Sequence, residues 1–289
     1  MADQAQSLRN LIDSSPLELT EHTKVIAVTS GKGGVGKSNF TLNFALALQE
    51  KGHKVLVFDA DIGLANLDVL MGISPKLHLY HLLKKEKGIE EIVQEGPNGL
   101  RFIAGGSGFN DLLTLSEDQL QYFMDEVGSL NGAYDYILFD TGAGLSKETL
   151  NFILAAEQSI VVTTPEPTSI TDAYAIIKMV TNMQYKINFN LVVNRVTDSR
   201  EGKATADKIS LVARKFLDLD IPTLGYISDD QHVSKAVKKQ VPFTIAFPGC
   251  HASKDMRELA RQFMMERSQP KTEVGMKGFI HRMMRFMKS

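Results

Sequence analysis

The 289 residues are 43% hydrophobic and 23% charged, with a net charge of −2. These values exclude global disorder and any whole-molecule attraction to nucleic acid. The single cysteine, Cys250, excludes an intrachain disulfide, and the opening residues lack the basic start and apolar run of a secretory signal. No stretch approaches the ~18 consecutive apolar residues of a membrane span, so a cytoplasmic protein is expected.

Residues 1–23 are polar and contain Ser14-Ser15-Pro16. Leu8, Leu11 and Ile12 have helical spacing, which predicts a short helix followed by a linker. From Lys24 the pattern changes to short apolar runs separated by amphipathic stretches. Strands are predicted at Val25–Thr29, Val55–Asp59, Leu100–Ala104, Tyr136–Asp140, Ser159–Thr163, Asn190–Asn194 and Thr223–Ile227. Their weak alternation implies that both faces are covered. Helices are predicted at Phe40–Glu50, Lys147–Ala156, Ser169–Met183 and Ala204–Phe216. Strand and helix repeated this way give an α/β fold, with a doubly wound, mostly parallel sheet and helices on both faces. A 24–267 core domain is expected, with Ser268-Gln269-Pro270 breaking the chain before a distinct 268–289 tail.

The first strand runs into Gly31-Lys32-Gly33-Gly34-Val35-Gly36-Lys37-Ser38, which satisfies the P-loop pattern and precedes a predicted helix at Asn39. Glycines let successive backbone N–H groups turn around phosphate oxygens, and the helix N-terminus adds partial positive charge. Lys37 is expected on the β- and γ-phosphates, and Ser38 on Mg²⁺. Lys32 is a second cation inside the loop, placed more easily to reach the phosphates of another subunit than its own.

Three carboxylates at strand ends complete this site. Asp59 and Asp61 follow the second strand. Asp59 is assigned to the metal or to loop support, and Asp61 to the attacking water. Asp140 ends Tyr136-Ile137-Leu138-Phe139 and is expected to hold Mg²⁺, partly through water. Asn194 also ends a strand. The Asp198 that follows falls one position late for guanine-reading spacing. A strand-end asparagine capping a turn is the alternative to a base contact.

The tail from Met276 places Met276, Phe279, Ile280, Met283 and Met287 on one helical face and Lys277, His281, Arg285 and Lys288 on another. Five basic residues after Pro270 oppose Glu273 alone. A basic amphipathic helix of this kind reads as an in-plane membrane anchor through Phe279, Ile280, Met283 and Met287, with Lys277, Arg282, Arg285 and Lys288 at the anionic surface. Packing of the same face on the core is the alternative, including a fold-back into a groove when the phosphate loop is empty. The expected location is thus cytoplasmic and reversibly peripheral at the inner face of the cell membrane.

The lysine-bearing loop, together with Asp59-Ala60-Asp61-Ile62-Gly63-Leu64, the Asp140 strand and Pro165-Glu166-Pro167, resembles the deviant Walker A motif of the MinD/ParA family over roughly 24–265. The resemblance implies a slow, partner-stimulated ATPase whose two protomers close over ATP, with Lys32 crossing between them and Asn194 at the adenine. Glu166 and Asp172 are candidates to face the second protomer. Asp3-Gln4-Ala5-Gln6-Ser7-Leu8-Arg9 and Gly63-Leu64-Ala65-Asn66 resemble the flagellar, FlhG-type branch. That branch implies that Asp3, Gln4, Ala5, Leu8 and Arg9 bind and stimulate the GTPase FlhF, and that the chain meets C-ring switch proteins. A division-site regulator of the MinD type, a ParA-type DNA partitioner and a non-hydrolysing nucleotide scaffold stand as the alternatives.

Overall fold

The computed structural model describes residues 23–61, 66–105, 117–185, 187–265 and 275–287. Eight strands form one sheet: β1 Lys24–Ser30, β2 Val55–Ala60, β3 Gln94–Glu95, β4 Arg101–Ile103, β5 Tyr136–Ala143, β6 Gln158–Thr163, β7 Asn188–Val196 and β8 Thr223–Ser228. The order is β3-β4-β2-β5-β1-β6-β7-β8. Every pairing is parallel except the short β3–β4 edge. All seven strands expected from the sequence are present. The two-residue β3 is too short to leave a periodic signal.

Helices of eight residues or more among the described residues are α1 Lys37–Gln49, α2 Glu117–Gly128, α3 Lys147–Ala155, α4 Pro167–Asn182, α5 Ser199–Leu217, α6 Gln231–Lys238, α7 His251–Met265 and α8 Gly275–Met287. Val25, Ile26, Ala27 and Val28 are all fully buried, because helices cover both sides of β1. Ile26 and Val28 face α1 and α7, where Phe40 stacks on Phe44 and Phe263 meets Phe44 edge-on. Val25 and Ala27 face the opposite layer, which holds α2, α3, α4, α5 and α8. Thr23, assigned from the sequence to the linker, is buried and seals the base of β1: its hydroxyl donates to Tyr134 O at 2.7 Å and accepts from Gly132 N at 2.8 Å.

The tail takes the second of the two arrangements that its sequence left open, packing on the core. Phe279, Ile280 and Met283, expected at a lipid surface, are covered by the protein's own domain, and Met276 and Phe286 are buried with them. Helix α8 lies against α2 and α3. Phe279 stacks on Phe139 of β5 at 4.6 Å between ring centroids and lies 6.3 Å from Phe152 of α3. Phe286 meets Tyr185 edge-on at 4.8 Å. Arg282, expected at anionic headgroups, turns inward and donates to Ala155 O at the C-terminal end of α3, where helix carbonyls lack partners. Burial holds its guanidinium below the usual arginine range. His281 and Arg285 stay exposed. The physical reason is that this layer presents its own apolar furrow of Phe139, Phe152 and Val127, and apolar burial is indifferent to whether protein or lipid provides the cover.

Asp3, Gln4, Ala5, Leu8, Arg9 and Lys288 lie outside the described residues, as do Ile62 to Ala65. Lys277 and Met287 belong to the backbone of α8. No helix among the described residues is long and apolar enough to cross a membrane.

Candidate functional site

The parallel sheet puts the C-terminal ends of β1, β2, β5, β6 and β7 at one edge, and every candidate of the core is found there. Residues Gly31 to Gly36 connect β1 to α1. Gly36 sits at φ 94° and caps α1, and a Cβ on it would lie 2.4 Å from Asn194 Nδ2. Gly31 lies against α4 so closely that a Cβ would stand 2.1 Å from the backbone carbon of Asp172. Only glycine permits both approaches. The Asn194 amide donates to Val35 O at 2.8 Å, so the end of β7 clamps the loop. Asn194 also lines a cavity of about 470 Å³ with Gly36, Asn39, Glu166, Arg195 and Asp229, room for a nucleoside beside the phosphate loop.

The charged floor is almost dry. Lys37 is 7% exposed, Asp59 2% and Asp140 1%. Lys37 Nζ donates to Asp140 Oδ1 at 2.8 Å and to Ser38 Oγ at 3.4 Å. Asp59 and Asp140 are register partners on β2 and β5. Burial, and then the charge of Asp140, push the Asp59 carboxyl up to about 7; the N–H of Asp61, donated to Asp59 Oδ1 at 3.2 Å, opposes the shift. Asp61 Oδ1 lies 3.7 Å from where a Cβ on Gly142 would stand, just past Asp140. The structure therefore brings Lys37, Ser38, Asp59, Asp61 and Asp140 together, as the sequence predicts.

These residues fit a divalent cation. Asp140 Oδ2 is buried and has no hydrogen-bond partner, and two neighbouring carboxylates repel each other until a cation neutralises them. Hard oxygen donors with room for water suit Mg²⁺.

The raised Asp59 carboxyl makes stability depend on pH. The unfolded side chain loses its proton near 3.8 and the folded one near 7, so the contribution is complete below ~4 and is lost as pH rises through about 7. Without nucleotide, Asp59→Asn is expected to raise the melting temperature much more at pH 7.5 than at pH 4.5. The full span is on the order of 4 kcal/mol. Equal effects at both pH values would show that Asp59 ionises normally.

Lys32 points away from its own loop. Its Nζ donates to Glu166 Oε2 at 2.9 Å and Thr168 Oγ1 at 3.1 Å, at the start of α4. The lysine side chain is 41% exposed and the glutamate 57%, so the pair is weak and readily exchanged. That hydrogen bond holds the Glu166 carboxyl below its ordinary range. From the sequence, Glu166 and Asp172 were candidates to face a second protomer, with loop solvation or helix capping as the alternative. Here Glu166 holds Lys32 within the chain, and the Asp172 backbone backs Gly31.

One buried residue escaped sequence reading: Thr41, whose hydroxyl lies 2.9 Å from Asp140 Oδ1. The available signal was its place one helical turn after Lys37.

A family model for an AAA domain matches residues 23–193. The chain is 38% identical to the flagellum site-determining protein YlxH of Helicobacter pylori, over 99% of this chain and 100% of that protein. It is 37% identical to the antiactivator FleN of Pseudomonas aeruginosa, over 83% and 85%. Its fold is similar to the septum site-determining protein MinD of Pyrococcus horikoshii complexed with Mg-ADP, with a TM-score of 0.68 and 25% identity over 84% of this chain and 96% of that one.

Proposed function

The chain belongs to the MinD-like, AAA-domain P-loop ATPases, the family of YlxH and FleN, and from that premise we propose that it is an ATP-driven switch acting in flagellar placement. Its nucleotide is ATP and its metal Mg²⁺. Ser38, Asp59 and Asp140 hold the metal, partly through water. Mg²⁺ supplies neutralisation of charge on the β- and γ-phosphate oxygens.

The chain's own residues do the rest. The loop's N–H groups and Lys37 fix the phosphates, and Asn39 and Asn194 line the nucleotide site, Asn194 at the base. Asp61 orients the attacking water. Lys32 leaves Glu166 to reach the γ-phosphate held by a second copy, as an arginine finger does. The homodimer then forms only when ATP is bound, and turnover is slow.

The observation that carries the switch is the span of α4. Its first turn holds Lys32, through Thr168 and the adjoining Glu166, and backs Gly31. Just past its C-terminal end, Tyr185 touches Phe286 of the tail. A rigid helix of 16 residues therefore joins the loop to the docked tail. Closing of the dimer shifts α4, loosens α8 and frees Phe279, Ile280, Met283 and Met287 for an anionic membrane surface, with Lys277, Arg282, Arg285 and Lys288 at the headgroups. Two tails presented together gain by effective concentration. Asp3, Gln4, Ala5, Leu8 and Arg9 are proposed to engage and stimulate FlhF, and the domain to meet C-ring switch proteins.

Co-sedimentation with anionic liposomes tests this. The protein is expected to pellet more with ATP than with ADP, and Lys32→Ala to lose the difference. Tyr185→Ala weakens docking by an aromatic contact, so it is expected to raise pelleting with ADP by roughly 2- to 10-fold. Equal pelleting of the unaltered protein with ATP and ADP would refute the switch.

A further inference from the structure

Asp140 uses its two carboxylate oxygens differently. Oδ1 receives two donors, Lys37 Nζ at 2.8 Å and Thr41 Oγ1 at 2.9 Å. Oδ2 is buried and unpartnered. The plane of the carboxylate is thus set by what grips Oδ1, and the outcome is that Oδ2 is the oxygen left for a cation.

The two donors are not equivalent. By its place in the loop, Lys37 also serves phosphate, and a charged head on a flexible stem divides its time between two anions. Thr41 is fully buried in the second turn of α1. The alternative for its hydroxyl is the carbonyl of Lys37 at 3.0 Å, a back-bond that does little for a helix. Threonine is also a poorer helix former than alanine, so helix formation does not account for it. What the hydroxyl reaches that no alanine could is Asp140, 99 residues away.

We propose that Thr41 is a positioning residue of the cation site: its hydroxyl holds Oδ1 of Asp140 so that Oδ2 is presented to Mg²⁺, including when Lys37 is engaged with phosphate. The proposal rests on the ATP and Mg²⁺ reading of the loop. It assigns Thr41 to the metal's affinity and not to the phosphates. Thr41→Val keeps the shape and removes the donor. Thr41→Ser keeps the donor.

The test is equilibrium binding of a fluorescent ADP analogue in excess Mg²⁺ and in EDTA. The unaltered protein should bind more tightly with Mg²⁺. Thr41→Val should lose roughly tenfold of that gain, the effect of one hydrogen bond to a charged group, with its EDTA affinity unchanged. Thr41→Ser should restore the gain to within about threefold. Retention of the full Mg²⁺ gain by Thr41→Val overturns the proposal, as does an equal loss with Mg²⁺ and with EDTA. Should Thr41→Val fail to fold, Thr41→Ala and Thr41→Ser both lack the γ-methyl and differ in the hydroxyl, and equal Mg²⁺ gains in those two overturn it. Absence of any Mg²⁺ gain in the unaltered protein would instead count against the cation site itself.

Discussion

Replacing Lys37 with alanine will cost the protein its fold stability as well as its hydrolysis. Lys37 is the cation seen on Asp140, at 2.8 Å, in a floor where Asp59 and Asp140 are almost wholly buried. Breaking a buried pair leaves an uncompensated charge, which costs about 3–5 kcal/mol. Hydrolysis should fall about 10²-fold or more with the loss of a donor on the transferred phosphate. The double substitution Lys37→Ala with Asp140→Asn separates the two effects. An amide needs no counter-ion, so most of the lost stability should return while hydrolysis stays lost. Urea unfolding and phosphate release measure the two quantities. A Lys37→Ala protein as stable as the parent would mean that the ion pair with Asp140 is not what neutralises the floor.

The second large effect lies at the other end of the chain. Phe279→Ala should destabilise the whole domain by about 3–4 kcal/mol in the absence of any membrane. Phe279 is 2% exposed, stacked on Phe139 of the central strand and near Phe152. Truncation would open a cavity beneath β5, the strand that carries Asp140. The exposed positions of the same helix behave differently: His281→Ala and Arg285→Ala should stay within about 0.5 kcal/mol. Denaturant midpoints read this directly. If Phe279→Ala shifted the midpoint no more than Arg285→Ala, α8 would be a free tail, and the account of its release would lose its starting point.

How much of this was legible in the sequence depended on distance along the chain. The loop from Gly31 to Ser38 is a run of adjacent residues between a strand and a helix, and spacing alone gives its chemistry. Asp140 and Asp59 were readable for a similar reason. Each ends a short apolar strand, and in a parallel sheet the C-terminal strand ends share one edge. The helix at His251–Met265 was not anticipated, although it packs against both β8 and α1. Nor was Glu117–Gly128, which forms one wall beside the tail.

For the tail, sequence reading recognised an amphipathic helix and left its partner open between lipid and core. Its apolar face was legible because helical spacing is local. What covers that face was not, because the same stripe of Met276, Phe279, Ile280 and Met283 satisfies either environment. Phe286 belongs to the same buried set, with Tyr185 edge-on to its ring.

By itself the sequence determined the phosphate cradle, the strand-end carboxylates and the existence of an amphipathic tail, since each is written in residues close enough together to impose its own geometry. Only the tertiary structure decided that Lys32 lies on Glu166, that Thr41 grips Asp140, that Asp59 keeps its proton to about 7, and that the tail rests on Phe139. These are relations between residues dozens to more than a hundred positions apart. They depend on strand register and on how much water each pair excludes, and neither is encoded in any short stretch of the chain.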